Sequence, residues 1–278
     1  MLGLGLGLNK GLSIASRTDW TPRKLNLALW LDASDESTIT ENDGTVSQWD
    51  DKSGNDRHAS QTAAGSQPSF VVNNGKPALE FDGISNYLQL QGFNSVNTAE
   101  PFTYVAVFLS RVENGSSGFI LAQNYGGSDR EPVMVVVNNA RQGGTDSIGI
   151  SAYLQYRTDG TFRGKAIDEI SNNELLIATG GWTGSTMEFY VNGVSGERNT
   201  SNEPDVSPPN MTDFNLRIGQ RANETPNHFE GLIQEVIILP NYHTEEERLK
   251  LEGYLAWKWD MVDSLPQAHP YKLSPPRA

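Results

Sequence analysis

The chain contains no cysteine, so disulfide scaffolds, thiolate zinc sites and cysteine nucleophiles are excluded. It also lacks any stretch near the roughly 18 consecutive apolar residues of a membrane-spanning helix. Basic residues are in short supply. The 21 Lys and Arg against 34 Asp and Glu leave a formal charge of −13 and a pI near 4.7. General nucleic-acid binding asks for a basic face and is disfavoured on this balance. What remains is an acidic chain of 278 residues, long enough to build a core without staples.

The few positive charges are unevenly placed. Residues 1–24 carry Lys10, Arg17, Arg23 and Lys24 against Asp19 alone, a net of +3, which leaves −16 on the remainder. The same segment opens with Leu2, Leu4, Leu6 and Leu8 separated by glycines. No basic segment precedes this apolar run, as a secretory signal requires. In an extended chain the four leucines share one face. Two readings stand: a floppy leader, or an anchoring arm that orders when a neighbour supplies an edge or groove.

From Leu25 onward, short apolar runs alternate with turn residues, and the chain holds 27 Gly and 14 Pro. That pattern predicts many short strands. The clearest runs over residues 102–109 and is apolar on both faces, which predicts a place inside a sheet. Further strands are expected at 27–31, 78–81, 87–90, 119–123, 133–137, 147–152, 175–179, 187–191, 216–218 and 232–239. Asn192-Gly193 marks a two-residue hairpin turn with positive φ at both positions. So many strands bury their apolar faces only on one another, in a sandwich or a barrel.

One helix is expected from about Glu245 to Trp259. Thr244 and Glu247 form a capping box, and Leu251, Leu255 and Trp259 recur as a core-facing stripe. Gly253 is read as a point of close packing against the sheet. Pro266, Pro270, Pro275 and Pro276 predict an extended tail.

A series of segments then carries a resemblance. It runs from Leu27-Ala28-Leu29-Trp30-Leu31-Asp32-Ala33 through Gln48-Trp49, Asp51-Lys52-Ser53-Gly54-Asn55 and Lys76-Pro77-Ala78-Leu79-Glu80-Phe81-Asp82-Gly83. It continues with Met187-Glu188-Phe189-Tyr190-Val191-Asn192-Gly193, Leu216-Arg217-Ile218-Gly219 and Phe229-Glu230-Gly231-Leu232-Ile233-Gln234-Glu235-Val236. In this order they resemble the concanavalin A-like lectin/glucanase superfamily, and within it the laminin-G-like jelly rolls. The ending Glu252-Gly253-Tyr254-Leu255-Ala256-Trp257-Lys258-Trp259 looks like the modules of bacteriophage virion proteins and bacterial surface proteins. The resemblance implies an all-β fold: an antiparallel jelly-roll β-sandwich over residues 25–278, with an N-terminal extended arm over 1–24 and one C-terminal helix.

The resemblance admits glycoside hydrolysis, whose local signature is E-x-D-x-x-E on one strand. Glu41-Asn42-Asp43 begins it, but Val46 stands where the second Glu belongs; Glu203-Pro204-Asp205 begins it again, with Pro208 in that place. His58, His228, His243 and His269 lack close metal-ligand spacing. Calcium is the metal that suits the composition, and related folds often hold one. Asp51, Asp82 and Glu235 lie in the segments where it could bind, although turn-capping Asp residues look the same in sequence. Trp30, Trp49, Trp257 and Trp259 read as core. The candidates for a sugar-binding surface are the loop aromatics Tyr125, Tyr153 and Tyr156 with Asp129, Arg130 and Arg157, though ordinary surface loops look alike.

The reading that results is a non-enzymatic virion structural protein, either a capsid decoration protein or a tail-associated adhesin. Its arm would be anchored through Leu2, Leu4, Leu6 and Leu8, and its partners would be other virion proteins, further copies of itself and a host surface glycan. No nucleic acid or membrane is expected as partner. A free carbohydrate-binding protein and a glycoside hydrolase are the alternatives.

Overall fold

The computed structural model describes residues 19–90, 93, 100–112, 117–124, 130–138, 149–156, 161–167, 170–196, 198–199, 215–221 and 227–278. The leucines at 2, 4, 6 and 8, and with them Tyr125, Asp129 and Arg157, lie outside the described residues. The strands are β1 (Leu29–Asp32), β2 (Ile39–Asn42), β3 (Thr45–Trp49), β4 (Ala59–Ser60), β5 (Ser69–Asn73), β6 (Lys76–Asp82), β7 (Leu88–Leu90), β8 (Phe102–Ser110) and β9 (Ser117–Asn124). They continue as β10 (Arg130–Asn138), β11 (Gly149–Tyr156), β12 (Thr161–Ile167), β13 (Leu175–Trp182), β14 (Met187–Val191), β15 (Val194–Ser195), β16 (Arg198–Asn199), β17 (Asn215–Ile218) and β18 (Glu230–Leu239). Every paired ladder is antiparallel.

Two layers emerge from the pairing. In the first, β18 takes β8 on one side and β6 and β1 on the other, and β8 passes the ladder on to β13 and β14. In the second, β7, β17, β9, β10, β11 and β12 follow one another. Strand β3, which also pairs with β2, joins them by pairing with both β5 and β4. Leu29, Leu31, Phe102, Tyr104, Phe108, Val236 and Ile238 of the first layer meet Leu88, Leu90, Leu121, Val137, Ile150, Leu216 and Ile218 of the second in one core.

The reverse face of the first layer is also covered. Trp30, Val105, Val107, Ile177, Ile237 and Leu239 pack against Leu251, Leu255 and Ala256 of helix α1 (Glu245–Lys258) and against Trp259, its C-cap. This double burial is why β8 is apolar on both faces: all nine of its residues are buried. The helix begins as its sequence requires. Glu247 N donates to Thr244 Oγ1 (3.2 Å) and Thr244 N donates to Glu247 Oε2 (2.8 Å). The β14–β15 turn has φ of 49° at Asn192 and 78° at Gly193. No helix among the described residues is long and apolar enough to cross a membrane.

Four expectations need correction. The body begins before residue 25: Trp20 is buried against Tyr254, at 6.1 Å between rings, and its amide donates to the Pro276 carbonyl. Trp20 has too much apolar area to leave in water. The tail folds into successive turns, with His269 N on Pro266 O and Lys272 N on His269 O. The Lys272 ammonium gathers the carbonyls of Val262, Asp263 and Leu265, which holds those turns closed. Gly253 makes its close approach to this tail, not to the sheet: a Cβ there would stand 2.6 Å from Tyr271 Cβ. Trp257 is 38% exposed, and its Nε1 donates to Tyr271 O at 2.8 Å. It clasps the tail from outside the core that Trp30, Trp49 and Trp259 occupy.

Candidate functional site

Two clusters of buried polar side chains stand around α1. The first lies between the helix and the first sheet. Glu235 on β18 is 1% exposed. It accepts from Trp30 Nε1 (2.7 Å), Trp259 Nε1 (2.7 Å) and Lys258 Nζ (2.6 Å). The same ammonium lies 2.6 Å from Asp32, whose other oxygen takes Lys52 at 2.8 Å. Burial pushes both carboxyls up. At Asp32 the two lysines outweigh burial and its pKa falls below the ordinary range. At Glu235, with Asp32 repelling it across the shared ammonium, the pKa stays raised. Every donor here comes from the chain itself, and the network joins β1, β18 and the end of α1. Its chemistry is that of a fastening.

The second constellation stands at the start of the helix. Tyr242 and Tyr190 both donate to Glu188 Oε2, at 2.6 and 2.8 Å. The Arg248 guanidinium stacks 4.0 Å from the Tyr190 ring centroid and forks onto Glu252, which is fully buried. His269 Nε2 lies 3.4 Å from Glu252, drawing in the tail. Burial and the Glu188 bond push the Tyr190 phenol up to about 12. Burial, then the Arg248 charge, hold His243 down to about 4, so its ring is neutral near pH 7. A phenol held protonated and a carboxylate already taking two hydroxyls are poor proton-transfer partners.

The three calcium candidates are committed to donors of the protein. Asp51 accepts from the amides of Trp30, Ser53 and Arg57 and from Ser53 Oγ. Asp82 accepts from the amides of Ile84, Ser85 and Asn86 and from Ser85 Oγ. Burial pushes Asp82 up, but these donors outweigh it and hold it at about 2. Glu235 is held as above. Among the described residues no three His, Asp or Glu side chains gather as a metal would need.

The saccharide candidates are partly placed by the backbone. Arg130 opens β10 and Tyr156 closes β11, and the ladder pairs them directly. Tyr153 pairs with Val133. Tyr153 and Tyr156 therefore belong to a strand of the second sheet, not to a loop. Sequence reasoning missed Arg217 and Gln89 of that sheet. Each is a polar residue between two core residues, Leu216 and Ile218 or Leu88 and Leu90, so each faces away from the core.

The comparisons agree with this architecture. A laminin-G-like family model, described as concanavalin A-like lectin/glucanases superfamily, matches residues 81–247. The chain belongs to that superfamily. A search of curated proteins returned no match. Among solved structures the chain is similar to domain 4 of the extracellular arabinanase AbnA of Geobacillus stearothermophilus, solved with arabinotriose. The identity is 12% and the TM-score 0.53, over 80% of this chain and 96% of that domain. It is similar also to the Trypanosoma rangeli sialidase solved with sialic acid, at 14% identity and TM-score 0.55, over 85% of this chain and 33% of that one. The binding domain of botulinum neurotoxin DC, solved with rat synaptotagmin II, aligns at 11% identity and TM-score 0.55, over 84% and 52%. This chain thus spans a third of the sialidase and about half of the toxin domain. At such identities the likeness is one of fold.

Proposed function

We propose that the chain is a non-enzymatic, lectin-like structural protein of a bacteriophage virion, a capsid decoration protein or tail-associated adhesin. Its sandwich would present a saccharide-recognising surface to the host, and the segment before residue 19 would hold it to the particle and to sister copies. The observation that carries the non-enzymatic part is the use made of its buried acids. Asp32, Asp51, Glu235 and Glu252 are each taken up by donors of the same chain, in bonds that fasten helix, tail and turns to the sheets. A hydrolase needs one carboxyl free to protonate a leaving group and another facing the sugar. The recognition part is supported by the superfamily and by the saccharides named with two of the similar proteins. The virion part is supported by the leucine stripe, the charge contrast between residues 1–24 and the remainder, and the resemblance of the closing residues.

The test is sedimentation of phage particles carrying either the full chain or a chain lacking residues 1–16. The full chain is expected in the particle fraction and the truncated one in the supernatant, with unchanged circular dichroism. Equal incorporation of the two contradicts the anchoring role. Absence of the full chain from particles contradicts the virion assignment.

A further inference from the structure

Arg217 on β17 is a half-buried cation without an anion among the described residues. Its Nε donates to Gln89 Oε1 at 3.3 Å, an Nη donates to Gln220 Oε1, and its plane stacks 4.7 Å from the Tyr87 ring centroid. Those partners are all neutral, and among the described residues no carboxylate acts on it. Burial lowers its pKa from the ordinary arginine value, a cost that no described counter-ion offsets. Several other partly buried cations are treated differently. Lys52, Lys258, Arg111 and Arg248 pair with carboxylates, and Arg57 and Lys272 bond backbone carbonyls. In a chain of charge −13, a lone arginine held in place by two amides and a ring is an expensive arrangement for stability alone.

Its geometry resembles a binding fork. A guanidinium has five N–H donors in one plane, and two of these are used, leaving three without an acceptor among the described residues. Gln89 and Gln220 fix the orientation, and Gln220 is itself fixed by His228 (Nε2, 3.1 Å). Both strands beside Arg217 are regular: it pairs with Gln89 on β7 and with Ala122 on β9. The register continues the row to Val133 and Tyr153. The fork thus opens on the face of the second sheet that is turned away from the core.

We propose that Arg217, oriented by Gln89, Gln220 and Tyr87, receives the carboxylate of an acidic saccharide, a uronic or nonulosonic acid unit. The planar carboxylate takes the free N–H groups side by side. The Gln89 amide nitrogen, which the bond to Arg217 leaves unused, offers donors to the sugar hydroxyls. This rests on the carbohydrate-recognition reading above and names the ligand class for it.

The test is affinity electrophoresis of the full chain in gels containing polygalacturonate, polysialic acid, fully methyl-esterified polygalacturonate, neutral pullulan or poly-glutamate. Retardation is expected in at least one of the two acidic polysaccharides, with at least tenfold weaker binding to the ester. Arg217→Gln should lose that retardation, and Gln89→Ala should weaken it several-fold, with both melting curves close to wild type. If Arg217→Gln does not fold, Gln89→Ala carries the test alone. Retardation equal in acidic and neutral gels, or unchanged in a folded Arg217→Gln and in Gln89→Ala, overturns the site while leaving carbohydrate recognition standing. Equal retardation by poly-glutamate shows a general anion site and overturns the saccharide class. No retardation in any polysaccharide gel overturns the recognition reading and the site with it.

Discussion

Replacing Glu235 by Ala removes one acceptor from beneath three donors, and the structure sets the size of the effect. Lys258 keeps Asp32 at 2.6 Å, so its charge stays paired. The indole N–H groups of Trp30 and Trp259, both 3% exposed, lose their acceptor. A buried donor left unsatisfied costs about 1–3 kcal/mol. Two of them agree with the roughly 3–5 kcal/mol seen when one member of a buried pair is removed. Against a total stability of about 5–15 kcal/mol the variant should still fold. For a chain of this size its melting temperature should fall by about 5–9 °C. Glu235→Gln keeps one acceptor oxygen and should cost about half as much. Urea unfolding followed by tryptophan fluorescence gives both values, since two of the six tryptophans lie on the carboxylate. A shift below about 0.5 kcal/mol for Glu235→Ala, the size typical of a surface change, would refute the idea that this network fastens α1 to the sheet.

His243 should titrate near 4 in a proton NMR pH series. Its depressed value means that its stabilising contribution is complete above about pH 6.5 and is lost as pH falls from there through 4; a midpoint near 6.5 would contradict its burial beside Arg248. Gly253→Ala raises helix propensity by about 1 kcal/mol yet should lower the melting temperature, because the new methyl meets Tyr271. Adding Tyr271→Gly, which removes the Cβ as well as the ring, should recover part of that loss, and a stabilised single variant would refute the contact. Deleting residues 1–16 should leave the melting curve unchanged, whereas deleting 1–22 removes Trp20 and should lower it by several degrees; equal curves would return residues 19–22 to the arm.

The strands that sequence reasoning anticipated are those with strong apolar runs, such as β8, β14 and β18, and the capping box placed the helix start at Glu245. Other strands were missed because their residues are polar or half-exposed: β2 reads Ile-Thr-Glu-Asn, and β5 is only partly buried along its length. Trp257 was misread because a helix stripe does not reveal that a folded tail offers a carbonyl to its indole. The candidate site was the least legible. Arg217 and Gln89 each stand between two core residues, a pattern visible in sequence. Their pairing across 128 positions is not. The partners of Glu235, Trp30 above all, are likewise set by chain topology and not by local spacing.

The central claim is that this sandwich recognises saccharide without cleaving it. The most direct measurement incubates the full chain with polysaccharide and reads bound protein and newly formed reducing ends in the same samples over time. The account predicts saturable binding with reducing ends at the level of the protein-free control. Reducing ends that accumulate in proportion to protein, and that disappear on substitution of a single carboxylate, would contradict it.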